Sequence, residues 1–361
     1  MHESADNGLI EMSRRASVGT KTTGPVSRAE TDPNTQTILS VLKTYPTNEV
    51  AIVGCHTARM SRKSCEYDLL VVSRDPTPPK YVRVGEFYAK IIFRSEKELR
   101  EPAPELAAAL ARATVLRDGS LFLAGTIASC RRRFKDSCGK AAESHLAAAL
   151  KALGRVDERV ADNLPEADFW LTSAATDLCV AEIFSSLQVP SPSHLFAQMK
   201  GLSRRKSAIF KEWTDASGFK LASRSSCENR LEGLSVLYDV LRTTAMDMTM
   251  SLRFGRYRSE DAVAIVRGKA LELLESRETV ECYSFLGYEM VRTVLDLHAV
   301  HCYALKKEPD YSNVTGELVS GPDRLISEDL IKGMGIVRQA ELVKAGAESL
   351  RSAVSALASR I

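Results

Sequence analysis

The hydrophobic pattern of this chain changes period once, near residue 125, and that change sets what the chain can fold into. Before it, short runs rich in β-branched and aromatic residues at 50–53, 69–72, 81–84 and 87–93 are divided by Gly54, by Asp75-Pro76-Thr77-Pro78-Pro79 and by Gly85-Glu86. That is the composition and punctuation of strands. After it, apolar residues recur at helical spacing over 126–153, 166–188, 227–250, 259–276, 279–306 and 335–360. The expected fold class is α+β, a small N-terminal mixed β-sheet followed by a larger all-α helical bundle.

Boundaries follow from the same pattern. Residues 1–32 are rich in Ser, Thr, Gly and charge and cannot repay the entropy of ordering, so a disordered tail is expected. The α/β part is expected over 33–124, opening with a helix from Asn34 that stops at Tyr45-Pro46 and closing with a short strand at 114–119. The helical part is expected over 125–361, with loops near 189–193 and 307–333 where prolines and glycines cluster. A chain of 361 residues, 44% of them apolar, suits two cores better than one.

Composition excludes some classes. With 49 basic and 46 acidic residues the net charge is only +3, so nucleic acid could be met through local patches but not by wrapping. The eight cysteines are scattered without a paired spacing and read as reduced thiols, which places the protein in the cytoplasm. No segment approaches the roughly 18 unbroken apolar residues of a membrane span, so no membrane partner is expected.

One constellation points to chemistry. Glu49-Val50-Ala51-Ile52-Val53 runs into Gly54-Cys55, and after ten residues come Glu66-Tyr67-Asp68 and the apolar run Leu69-Leu70-Val71-Val72. Carboxylates two apart on a strand point to one face, so Glu66 and Asp68 could hold one or two Mg²⁺ ions that neutralise a triphosphate. A glycine closing the strand lets backbone amides approach phosphates at the start of a following helix, with Arg59, Arg62 or Lys63 adding charge.

This order of residues resembles the signature of the polymerase-β-like nucleotidyltransferase superfamily, over about 75 residues from Asn48 to Gly119. The resemblance implies Mg²⁺-dependent transfer of a nucleoside monophosphate from NTP to an acceptor hydroxyl, on a small molecule, an RNA 3′ end or a protein, with a helical accessory domain completing the cleft. It implies Glu66 and Asp68 as metal ligands, and Gly54, Cys55, Arg59 and Lys63 around the phosphates. The chain departs from the pattern in three places. Cys55 stands where Ser or Gly is usual, and Glu66 where Asp is commoner. The third carboxylate is not evident on the strand at 87–93, where Tyr88, Lys90 and Ile92 share a face; Lys90 falls at the expected position, and Glu86 is the local substitute. A catalytically degenerate fold acting as a regulatory or interaction protein is therefore the alternative. A homodimer is left open.

The helical part offers weaker signals. Arg292 and His298 have the spacing of the ribonuclease motif of HEPN-type domains, and His298, His301 and Cys302 could share a helix face. Basic clusters stand at Arg131-Arg132-Arg133-Phe134-Lys135, at Arg204-Arg205-Lys206 and at Arg253-Phe254-Gly255-Arg256-Tyr257-Arg258, the last interleaved with aromatics in a way that would suit an RNA or nucleotide.

Overall fold

The computed structural model describes residues 34–44, 49–58, 60–203, 208–246, 255–320, 323–336 and 338–361. The tail expected over 1–32, Arg59 and the cluster 204–206 lie outside them. Five strands form one mixed sheet: β1 (Glu49–Val53), β2 (Tyr67–Val72), β3 (Lys80–Val84), β4 (Phe87–Arg94) and β5 (Thr114–Asp118). Their order is β3-β4-β2-β1-β5, with β2 and β4 parallel and the other neighbours antiparallel.

Alternation along the strands builds two cores. On one face Val50, Ile52, Leu69, Val71 and Ile91 meet Ile38 and Leu42, from α1 (Thr35–Val41) and the turn that follows it. On the other, Ala51, Val53, Leu70 and Val72 meet α2 (Glu96–Arg100), α3 (Pro104–Ala111) and α4 (Phe122–Arg132) through Leu99, Leu110, Leu123 and Ile127. Burying both faces with side chains of period two fixes the register, because a slip of one residue would turn every inward side chain outward. Glu66 and Asp68 share the parity of Leu70, so the pair rises at the open end of the α2–α4 face.

The helical part follows as α5 (Phe134–Arg159), α6 (Leu164–Ser185), α7 (Leu195–Ser203), α8 (Ala208–Ala216), α9 (Arg224–Met246), α10 (Glu260–Glu275), α11 (Thr279–Ala304), α12 (Val314–Val319), α13 (Glu328–Gly333) and α14 (Ala340–Ala358). The single helix expected over 126–153 is two. It begins earlier because Asp118, ending β5, accepts the amides of Leu123 and Ala124 at 3.2 and 2.7 Å. It breaks at Arg133 because its apolar stripe changes partner: α4 buries Leu123 and Ile127 against the sheet, whereas α5 buries Cys138, Ala141 and Leu146 in the helical core.

The loop expected over 307–333 contains two short helices, α12 and α13. Their anchor is non-local. Glu166, fully buried at the start of α6, accepts the amides of Val314 and Thr315 at 2.8 and 2.6 Å and the Trp170 indole N–H at 2.6 Å. Glu166→Ala should strand these buried donors and lower stability by about 3 kcal/mol, read by urea denaturation. Hydrogen exchange at Val314 and Thr315 should accelerate together; unchanged protection there would contradict the anchoring role.

Candidate functional site

The register brings the sequence motif together. Val53 of β1 pairs with Asp68 of β2, so Gly54 begins its turn beside the Asp68 carboxylate. Gly54 takes φ +80°, and a Cβ there would lie 2.6 Å from Asp68 Oδ2, so the turn needs glycine for both conformation and space. On its other side Asp68 pairs with Lys90 across the parallel β2–β4 ladder, and Lys90 Nζ lies 3.5 Å from Asp68 Oδ1. A lysine therefore holds the strand position where the sequence resemblance implied a third carboxylate.

A second lysine comes from the helical part. Lys269 of α10 places Nζ 2.5 Å from Glu66 Oε2, both side chains being 12% exposed. Burial favours a neutral Glu66, but Lys269 and then Lys90 outweigh it and hold the carboxyl below its usual range. Burial lifts the Asp68 carboxyl instead, with Lys90 opposing and the Glu66 charge adding. Burial also works against both ammonium groups, yet Asp68 raises Lys90 and Glu66 raises Lys269 above the ordinary lysine range. Two carboxylates and two ammonium groups thus form one partly buried cluster.

The connection between β1 and β2 differs from expectation. Among the described residues of 54–66 there are turns and no helix. Thr57 donates its amide and hydroxyl to the Gly54 carbonyl at 3.2 and 2.8 Å, and the amides of Ala58 and Met60 donate to the Cys55 carbonyl at 3.1 and 3.2 Å. Further on, the amides of Lys63 and Ser64 are taken by Glu272 of α10 at 3.2 and 2.9 Å. Lys63 is thereby held by its backbone, with an exposed side chain, and its loop amides face a carboxylate of this same chain. Cys55 is buried, with its thiol close to that of Cys65 and to the His194 ring.

Glu86 lies off the position opposite Asp68, which Lys90 holds. It sits exposed in the turn between β3 and β4, four residues before Lys90 and so about 13 Å away along the strand. The ribonuclease spacing is also corrected: His298 is fully buried, with Nε2 2.7 Å from Glu317 Oε2, which leaves it no open cleft. The aromatic-basic segment turns inward as well, Arg256 lying 4.4 Å from the Tyr257 ring centroid and 3.3 Å from Glu289 Oε2; residues 253 and 254 lie outside the described residues. In the cluster at 131–135, Arg131 binds the carbonyls of Ala111 and Ala113 at 3.1 and 3.5 Å, closing the end of α3.

The sequence reading missed Lys269 and Glu272. A signal existed for Lys269: it falls on the stripe of α10 that otherwise buries Ala262, Val266, Ala270 and Leu273. A lysine on a core-facing stripe asks for a partner.

No family model and no curated protein matches the chain. Among solved structures, a crystal structure of a nucleotidyltransferase-like protein from Exiguobacterium sibiricum 255-15 is similar at 13% identity, over 76% of this chain and 80% of that one, with a TM-score of 0.30. A likeness of that degree fixes neither the chemistry nor the residues of this chain. Among the described residues no helix is long and apolar enough to cross a membrane.

Lys269→Met should cost about 3–5 kcal/mol in chemical denaturation, because it leaves Glu66 buried and uncompensated, and adding Glu66→Gln should restore much of it. The Glu66 carboxyl is depressed below its reference value of 4.5, so its contribution is complete above that pH. It is lost as pH falls through the lower folded-state value. The double variant should lack this acid loss; an additive cycle would contradict the pairing.

Proposed function

We propose that this chain is a nucleotidyltransferase-like fold in which Lys90 and Lys269 take the place of metal at the Glu66-x-Asp68 pair, and that it works as a regulatory or interaction protein. The observation that carries this reading is the Lys269 ammonium 2.5 Å from Glu66, with Lys90 paired to Asp68 on the neighbouring strand. A magnesium ion binds carboxylate oxygen at about 2.0–2.1 Å and needs open, octahedral space. The lysines occupy that space and balance both charges, so the residues as arranged do not fit Mg²⁺.

Transfer of a nucleoside monophosphate would further require a general base, an ionised carboxylate, to accept the proton of the attacking hydroxyl. Lys90 stands at the position expected to supply it. The rival, Mg²⁺-dependent transfer from NTP, needs both ammonium groups to leave buried partners at once.

Calorimetry with a panel of NTPs, with and without Mg²⁺, on wild type and Asp68→Asn separates the two. The proposal expects no Mg²⁺-dependent binding to either protein. Mg²⁺-dependent NTP binding by the wild type that Asp68→Asn abolishes would overturn it.

A further inference from the structure

We propose that Cys55, Cys65 and His194 form a binding site for one zinc-class divalent ion, held by the two Sγ atoms and by Nε2 of His194. The three ligating atoms lie within 4.8 Å of one another, and all three residues are buried. Cys65 Sγ is 3.4 Å from His194 Nε2. A tetrahedral zinc with Zn–S near 2.3 Å and Zn–N near 2.0 Å sets sulfur and nitrogen about 3.6 Å apart, so little movement is needed. Two thiolates and an imidazole select a soft or borderline ion over Mg²⁺ or Ca²⁺.

The surroundings match what a zinc-bound histidine needs. The other ring nitrogen, Nδ1, faces Glu281 Oε1 of α11 at 3.9 Å, and Arg62 holds the same carboxylate oxygen at 3.0 Å while also pairing with Glu278. A carboxylate on that side of the ring is the kind of group that, once drawn into hydrogen-bond range, orients a metal-bound imidazole. The Arg62 amide donates to Cys65 Sγ at 3.3 Å, the kind of contact that favours a thiolate.

Each ligand is also fixed by its own backbone. Cys55 belongs to the Gly54 turn, and the carbonyl of Cys65 lies 3.3 Å from His56 Nε2. His194 ends a short 3-10 turn, Pro192–His194, in a segment braced by Gln198, which bonds Ser191 N and Val189 O at 2.9 Å each. The ligands come from the β1–β2 connection and from a segment 129 residues after Cys65, so the ion would tie the sheet to the helical part. Three protein ligands leave a fourth tetrahedral position for water or a small anion, and Cys55 also lines a cavity of about 340 Å³ beside the turn.

The other cluster with ligand types, His298, Cys302 and Glu317, is different. There His298 Nε2 and Glu317 Oε2 already satisfy each other at 2.7 Å, and it carries no such claim.

Elemental analysis of the purified full-length protein, followed by Zn²⁺ and Co²⁺ titration after chelator treatment, tests the site. One ion per chain is expected, with a thiolate-to-cobalt charge-transfer band. Cys55→Ser and Cys65→Ser should lose both, Cys138→Ser in the helical core should keep them, and Glu281→Gln should weaken affinity about 10- to 100-fold. If a cysteine variant does not fold, Zn²⁺ should still raise the wild-type Tm and shield Cys55 and Cys65 from alkylation in peptide mapping. A folded wild type that takes up neither ion, or whose binding survives Cys65→Ser unchanged, overturns the proposal.

Discussion

Charge balance in a partly buried seam is the constraint on which the rest of this structure depends. Glu66 and Asp68 leave water on the open end of the sheet, and they do so only because Lys90 from the next strand and Lys269 from a distant helix go with them. A buried charge left alone would cost several kcal/mol, whereas a complete pair is near neutral for stability. What the cluster supplies is therefore a fixed position for its members. Lys90 must stay opposite Asp68, and α10 must dock where Lys269 reaches Glu66 and Glu272 reaches the amides of Lys63 and Ser64. The same logic continues along α11, where burial raises the Glu289 carboxyl but Arg256 and Arg292 prevail and hold it low.

This arrangement inverts the usual use of a carboxylate pair. Carboxylates kept for a divalent ion repel one another until the ion arrives, and that unmet charge makes the site bind. Here the unmet charge is removed by the chain itself. The surrounding loop follows the same course, since its amides at 63 and 64 face Glu272. The cysteines beside it differ: Cys65 Sγ lies 3.4 Å from His194 Nε2 and accepts the Arg62 amide at 3.3 Å, so soft sulfur stands next to a histidine. The two cysteines flank the β1–β2 connection, Cys55 next to Gly54 and Cys65 next to Glu66, so soft and hard ligand types stand side by side there.

Much of the sheet was legible in the sequence because its signals are local. Alternating apolar residues, Gly54, the prolines at 76, 78 and 79 and the Gly85-Glu86 turn each mark a strand end without reference to the rest of the chain. Strand parity also pointed to Lys90, since residues 88, 90 and 92 share a face. Lys269 and His194 were not legible as partners, because nothing local tells a lysine on α10 or a histidine after a proline pair which strand it will meet. Arg256 misled for the same reason: an arginine between aromatics reads as a nucleic-acid contact until Glu289 is seen to face it. The short helices α12 and α13 depend on non-local contacts, above all on Glu166, and carry too few residues for a period to show.

The most direct test of the central claim is a crystal structure of the protein grown with Mg²⁺ and a non-hydrolysable NTP analogue. The account predicts Lys269 still on Glu66 and Lys90 still on Asp68, with no ion between the carboxylates. A magnesium ion bridging Glu66 and Asp68, with both lysines swung away toward the phosphates, would contradict it.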